Sequence, residues 1–282
     1  MEPKRFKIIV TILFLFMFSP ISSFAAQDNK ERNESVLKRL GDVSMEERNL
    51  ALFEINENIK NYPLTDEIIE TILNLAEKEQ KGKEYTMRGE LGEEYLSQLI
   101  IALGNTKNPR AIPYLIEYLG SGTSVAHSLH RIGEPAIDPL IKKLHDEMIG
   151  NRSSASYALG LFLKPDEDGY LAKVEVREKI KWSLIKELGD SRNKQPEKSI
   201  EWYKFRAEER AEVRTNIVRA LGYLAGSGDT DVIPLIESAA EGDPYFLDMS
   251  KKKDYRGPEK KYSVREEAQK VLKKIKEKKG IK

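Results

Sequence analysis

Small and apolar residues recur along this chain at helical intervals. In the clearest segment, Val213, Ile217, Val218, Ala220 and Leu221 stand at a starting position and four, five, seven and eight residues beyond it. That spacing gathers them on one face of an α-helix and leaves the intervening polar residues on the other. The same frame starts at Tyr95, Ser121, Asn151, Val176, Val213 and Val264, with intervals of 26, 30, 25, 37 and 51 residues. Three of the frames carry one word: Ala102-Leu103-Gly104, Ala158-Leu159-Gly160 and Ala220-Leu221-Gly222. A period of about 30 residues with insertions predicts an all-α chain of stacked helix pairs, an α-solenoid.

A second pattern marks the helix preceding each frame. Asn108-Pro109 and Glu134-Pro135 set proline at a first helical position, where its missing N–H does no harm. Ile112-Pro113-Tyr114-Leu115-Ile116 then matches Ile137-Asp138-Pro139-Leu140-Ile141 and Val232-Ile233-Pro234-Leu235-Ile236. Pro113, Pro139 and Pro234 are expected inside these helices, bending them. Upstream, helices are predicted at about 44–60 and 64–80, with Ser44 and Glu47 as a capping box for the first. Residues 189–212, with Trp202, Tyr203 and Phe205, are an insertion that extends the helix leading to Val213. Near the end, Val264, Arg265, Ala268, Val271, Leu272 and Ile275 give a last helix one apolar face.

The words Val213-Arg214, Ile217-Val218 and Ala220-Leu221-Gly222, with Ile112-Pro113-Tyr114-Leu115-Ile116, resemble the HEAT repeat. The likeness is to the bacterial class similar to phycobilisome lyase repeats, over residues 93–241 and partly over 263–278. The resemblance implies a right-handed α-solenoid of HEAT-like helix pairs, with the second helices lining a concave surface. It implies a binding scaffold in a Gram-negative bacterium. It also implies that Arg152, Arg177, Arg214 and Arg265, each next to a frame start, form a structural ladder with acids near the helix turns.

The N-terminus adds a location. Lys4, Arg5 and Lys7 precede an apolar run from Ile8 to Phe18, then Ser19-Pro20, then small Ser23 and Ala25. This is the pattern of a secretory signal cleaved after Ala25, with Ala26 as the neighbouring alternative. Its apolar run is far short of the ~20 residues that cross a bilayer. The expected organisation is a signal peptide at 1–25, an N-terminal helical cap at 26–92 and HEAT-like repeats at 93–241. A basic loop at 242–262 and a C-terminal capping helix and tail at 263–282 follow. The expected location is periplasmic or secreted.

Charge and composition narrow the chemistry. The chain has no cysteine, which excludes disulfides and thiolate metal sites. Its 47 basic and 46 acidic residues are unevenly spread, with a net of +9 in residues 251–282. That leaves an acidic excess in the solenoid, which disfavours nucleic acid. The basic end, including Lys251, Lys252 and Lys253, is a candidate for peripheral contact with an anionic membrane, against the alternative of a solvated cap.

The position six residues into each frame reads Ile101, His127, Tyr157, Trp182, Arg219 and Lys270. This stripe lies off the buried face. A row of His127, Tyr157, Trp182, Arg219 and Tyr223 is the candidate binding surface, since aromatics and arginine dominate interface energy. Packing between repeats is the competing use of the same residues. The favoured function is a non-catalytic scaffold holding a protein or peptide in the groove, with no cofactor and no metal. The alternative is a metal-dependent or other enzyme module built on His127 and His130, three apart on one helix. The His-Glu pairs of HEAT-like iron hydroxylases are missing here. Asp166-Glu167-Asp168-Gly169 with Glu175 imitates a calcium loop, but Lys164 stands at its first ligand position, so an acidic turn is expected.

Overall fold

The computed structural model describes residues 29–60, 64–82, 89–165, 172–190, 204–244, 247–248 and 260–278. The expected signal at 1–25, the expected acidic turn at 166–169, Trp202, Tyr203 and the lysines at 251–253 lie outside these residues. The chain divides into two units, Met1–Thr106 and Lys107–Lys282.

In the first unit, α1 covers 29–40, α2 is Met45–Asn58, α3 is Asp66–Gly82 and α4 is Gly89–Thr106. Both α2 and α3 pack on α4 around buried Leu52, Ile55, Ile72, Leu99 and Leu103. Full burial of each such side chain contributes roughly 1.5–3 kcal/mol. Arg32 and Arg39 both hold the Glu54 carboxylate, tying α1 to α2. Asn56 donates to Gln98 Oε1 at 2.8 Å and accepts from Asn105 at 3.0 Å, fixing α2 on α4. Ser44 caps α2 by accepting from the Glu47 N–H at 3.4 Å. The reciprocal half of the expected capping box is replaced: the Ser44 N–H donates to Asp42 Oδ1 at 2.8 Å.

The second unit contains α5 (Ile112–Glu117), α6 (Thr123–Ile132), α7 (Ile137–Lys143), α8 (Ile149–Leu163) and α9 (Val174–Gly189). It continues with α10 (Lys204–Gly226), α11 (Ile233–Gly242) and α12 (Ser263–Lys278). They form two layers. Helices α6, α8, α10 and α12 pack successively on one another, while α5, α7, α9 and α11 make the other layer. The frame residues Val213, Ile217, Val218, Ala220 and Leu221 are all fully buried between the layers. Val264, Ala268, Val271 and Ile275 bury α12 against α10 and α11. Among the described residues the one β-pairing is a two-residue antiparallel ladder, Leu247–Asp248 against Lys260–Lys261, within the span expected to be a loop. No described helix is long and apolar enough to cross a membrane.

Two local expectations are corrected. The prolines of the first helices do not bend a continuous helix. A short 3-10 turn (Pro109–Ala111, Glu134–Ala136, Thr230–Val232) comes first, and the α-helix restarts so that Pro113, Pro139 and Pro234 fall in its opening turn. There the absent N–H costs no helical hydrogen bond. The frame at Val176 is not a second helix. α8 packs directly on α10, and α9 lies beside α7, where Lys179 pairs with Asp138 and Lys173 with Glu134.

The repeated glycine has a steric reason. A Cβ on Gly160 would stand 3.3 Å from that of Ala220, and one on Gly222 would stand 2.5 Å from Val271 Cγ1. These glycines let α8 meet α10, and α10 meet α12, at close range.

Candidate partner-binding face

The open side of the α6–α8–α10–α12 layer carries a continuous line of polar and aromatic groups. His127 on α6 is exposed, and its Nε2 lies 3.2 Å from the Tyr157 hydroxyl on α8, with the two rings edge to face. Burial holds the imidazole below its usual pKa, reinforced by the nearby Arg131 and Lys164 cations. With the proton on Nδ1, Nε2 accepts from the Tyr157 hydroxyl; in the other neutral tautomer Nε2–H donates to it. Tyr223 on α10 is half-buried, and burial pushes its phenol up. The neighbouring Tyr157 and Glu267 act in the same sense, against Arg219. Arg219 donates to Glu267 Oε1 of α12 at 3.0 Å and to Asn216 Oδ1 at 3.1 Å. Lys270 stands 3.9 Å from the other Glu267 oxygen. Side chains of four successive helices thus form one line from His127 to Lys270.

Trp182 is not in that line. It sits on α9, in the other layer, 62% exposed, with its Nε1 donating to Glu178 at 3.1 Å. Placing it in the row followed from aligning Val176 as a second-helix frame, and the direct packing of α8 on α10 removes it. His130 is half-buried and lies edge to face on Phe162, with ring centroids 4.9 Å apart. Among the described residues neither His127 nor His130 joins a cluster of three potential metal donors. His145, Glu187 and Asp190 do form such a cluster, with one potential ligand atom from each within 4.8 Å of the others. Glu187 is fully buried, 3.1 Å from His145 Nδ1 and 3.7 Å from Arg152 Nε. Arg152 already supplies this carboxylate with a cation.

The arginine ladder has three members, Arg152, Arg214 and Arg265. Each member donates to main-chain oxygen near the end of the preceding first-layer helix, and Arg152 and Arg214 also face an acid near the end of the following one. Arg152 donates to the Asp146 and Glu147 carbonyls at 2.8 and 3.1 Å and faces Glu187. Arg214 donates to the Leu188 carbonyl at 2.6 Å and to the Asp243 carboxylate. Arg265 donates to the Asp243 carbonyl at 2.7 Å and closes the series. Arg177 is corrected out of it, because it lies in the first turn of α9, in the other layer. Lys181 was missed. It is buried, and although burial alone would lower its pKa, Glu178 at 2.6 Å and Asp229 at 2.9 Å hold it above the usual lysine value. Its only sequence signal is a cation on the buried side of α9, which a two-letter apolar pattern does not register.

Paired helices in two layers, with Gly160 and Gly222 at the contacts between neighbouring helices of one layer, define an all-helical repeat fold, an α-solenoid. Residues 96–121 match the family model described as PBS lyase HEAT-like repeat. Among solved structures the chain is similar to one described as computationally designed armadillo repeat proteins for modular peptide recognition. The two share 17% identity over 84% of this chain and 97% of that one, with a TM-score of 0.36. Comparison with curated proteins gives no match.

Proposed function

We propose that this protein is an exported scaffold that binds a protein or peptide across the open face of α6, α8, α10 and α12. HEAT- and armadillo-like repeats commonly mediate protein binding. The observation that carries the reading is the line His127–Tyr157–Tyr223–Arg219, drawn from three successive helices and left accessible. Aromatic and arginine side chains dominate interface energies; aromatic rings lose little freedom on binding, and an arginine already held by Asn216 and Glu267 has less left to lose. Tyr157 bonds His127, and Arg219 bonds Asn216 and Glu267, so these side chains are oriented before a partner arrives.

The test is capture of partners from the native cell envelope on the immobilised protein and on Tyr157→Ala and Arg219→Ala variants. The reading expects a distinct set of captured proteins that both variants lose. Capture that is the same for all three proteins would refute it.

Export is the second part of the proposal, supported by the basic start, apolar run and small residues up to Ala25. The mature protein then begins at Ala26 or Gln27 and is periplasmic or secreted. Intact-mass measurement on the exported protein checks this; a product that keeps residues 1–25 contradicts it.

A further inference from the structure

One end of this face has a distinct chemistry. A cavity of about 320 Å³ lies between α10 and α12. Four cations surround it, Arg219, Lys270, Lys274 and Lys278, with Glu267 as the one carboxylate. Arg219 and Lys270 both flank Glu267, so its charge is already countered. Val271 and Ile275 form an apolar floor, and Tyr223 stands on the wall. Gly226 leaves the α10 side open, with nothing within 4 Å of where its Cβ would stand, while Gly222 lets Val271 pack close against α10. Lys278 closes the far end by donating to the Gly226 carbonyl at 2.8 Å.

We infer that this cavity takes an extended acidic peptide segment of the partner, which rests on the binding reading given above. Lys270, Lys274 and Lys278 are each four residues apart, so they repeat at about 6 Å along the helix axis. Side chains on one face of an extended peptide repeat at about 6.6 Å. Acidic residues at alternate positions therefore meet successive lysines. The Tyr223 hydroxyl is a further donor for a carboxylate, and an apolar side chain at one inward position covers Val271 and Ile275. A peptide fits better than a bilayer surface. The cations line the rim of a concavity between two helices, whereas a headgroup plane needs them spread on a protruding surface.

The probe is a fluorescent octapeptide of alternating Glu and Ser, measured by anisotropy with the purified protein. The comparison peptide has the same composition with its four Glu in one block. Expected results are saturable binding of the alternating peptide and weaker binding of the block peptide. A Lys270→Ser/Lys274→Ser variant should lose about tenfold or more in affinity, and the loss should shrink as salt rises from about 0.05 to 0.3 M. Lys270 is 63% exposed and Lys274 is exposed, so the variant keeps its fold, checked by circular dichroism. No binding by the unaltered protein, or equal binding by the variant, overturns the inference. Equal affinity for both peptides overturns the extended register. Lysine-dependent binding to phosphatidylserine vesicles without peptide binding overturns it in favour of a membrane. If the peptide fails while native capture still depends on Tyr157, only this inference falls. If capture ignores Tyr157 and Arg219, the broader reading falls.

Discussion

Arg214 closes on Asp243 with two guanidinium nitrogens, Nε at 2.9 Å and Nη2, and the carboxylate has no exposed surface. The main-chain oxygen of Asp243 simultaneously accepts from Arg265. One residue therefore joins α10, the end of α11 and the start of α12. Removing the carboxylate strands a buried guanidinium, which costs about 3–5 kcal/mol when such a pair is broken from one side. Asp243→Ala is expected to lower the urea midpoint sharply. Hydrogen exchange should show the loss concentrated in α11 and α12, because repeat arrays come apart locally. Lys179→Ala removes an exposed pair with Asp138 and should leave the midpoint unchanged. Equal effects of the two substitutions would contradict a structural role for the ladder.

Two of the three word glycines, Gly160 and Gly222, should respond differently to alanine. A helical Gly→Ala change gains about 1 kcal/mol in propensity. At Gly160 the new methyl meets Ala220 at 3.3 Å, a contact that a small shift relieves, so the substitution should be close to neutral. At Gly222 it meets Val271 Cγ1 at 2.5 Å, and overpacking of about 1–3 kcal/mol outweighs the gain. Gly222→Ala is expected to destabilise, and the added change Val271→Ala to restore much of the loss. Denaturation of both single variants and the double variant checks this; a neutral Gly222→Ala would mean that α12 yields freely.

The stacking of helices was legible because it rests on local rules: a buried face at 3.6-residue spacing, proline at helix starts, and glycine where helices touch. Layer assignment was not legible at α9. Val176, Ile180 and Leu184 satisfy the same spacing as a second helix, and periodicity says which side of a helix is buried but not against which neighbour. That one step misplaced Trp182 and Arg177 together. His127 and Tyr157 were brought onto neighbouring helices as the frame implied, since each stands six residues into its own frame. The Glu267 link between Arg219 and Lys270 needed coordinates, because it joins residues 48 apart in sequence. Helix α1 was overlooked, its pattern being short and highly charged around Val36 and Leu40.

His127 offers a pH measurement. Its folded pKa lies below the ordinary histidine value because of burial, then Arg131 and Lys164. The unfolded chain therefore binds its proton more readily. The sign follows: this group's contribution to stability is fully present above the unfolded pKa near 6.5 and is lost as pH falls through the folded value. Imidazole NMR should give His127 a midpoint below 6.5. Arg131→Gln, which removes one repelling cation, should move it upward. A midpoint unchanged or lowered by that substitution would show that Arg131 does not act on this ring.

Trp182 separates the two layers functionally. Its indole is exposed on α9, held by Glu178 and lying 5.4 Å from the Lys181 ammonium. Lys181 keeps its bonds to Glu178 and Asp229 without the ring. Trp182→Ala should therefore change stability by no more than about 1 kcal/mol, the scale of an exposed cation–π contact. Trp is also the residue type most often found at interface hot spots, so an exposed one is a sensitive probe of which surface a partner covers. If partners lie across α6, α8, α10 and α12, Trp182→Ala leaves envelope capture intact while Tyr157→Ala and Arg219→Ala reduce it. The measurement is the captured amount of each partner relative to the unaltered protein, with thermal melts confirming that all three variants are folded. Loss of capture with Trp182→Ala, alongside normal capture with Tyr157→Ala, would move the binding surface to the α5–α7–α9–α11 side.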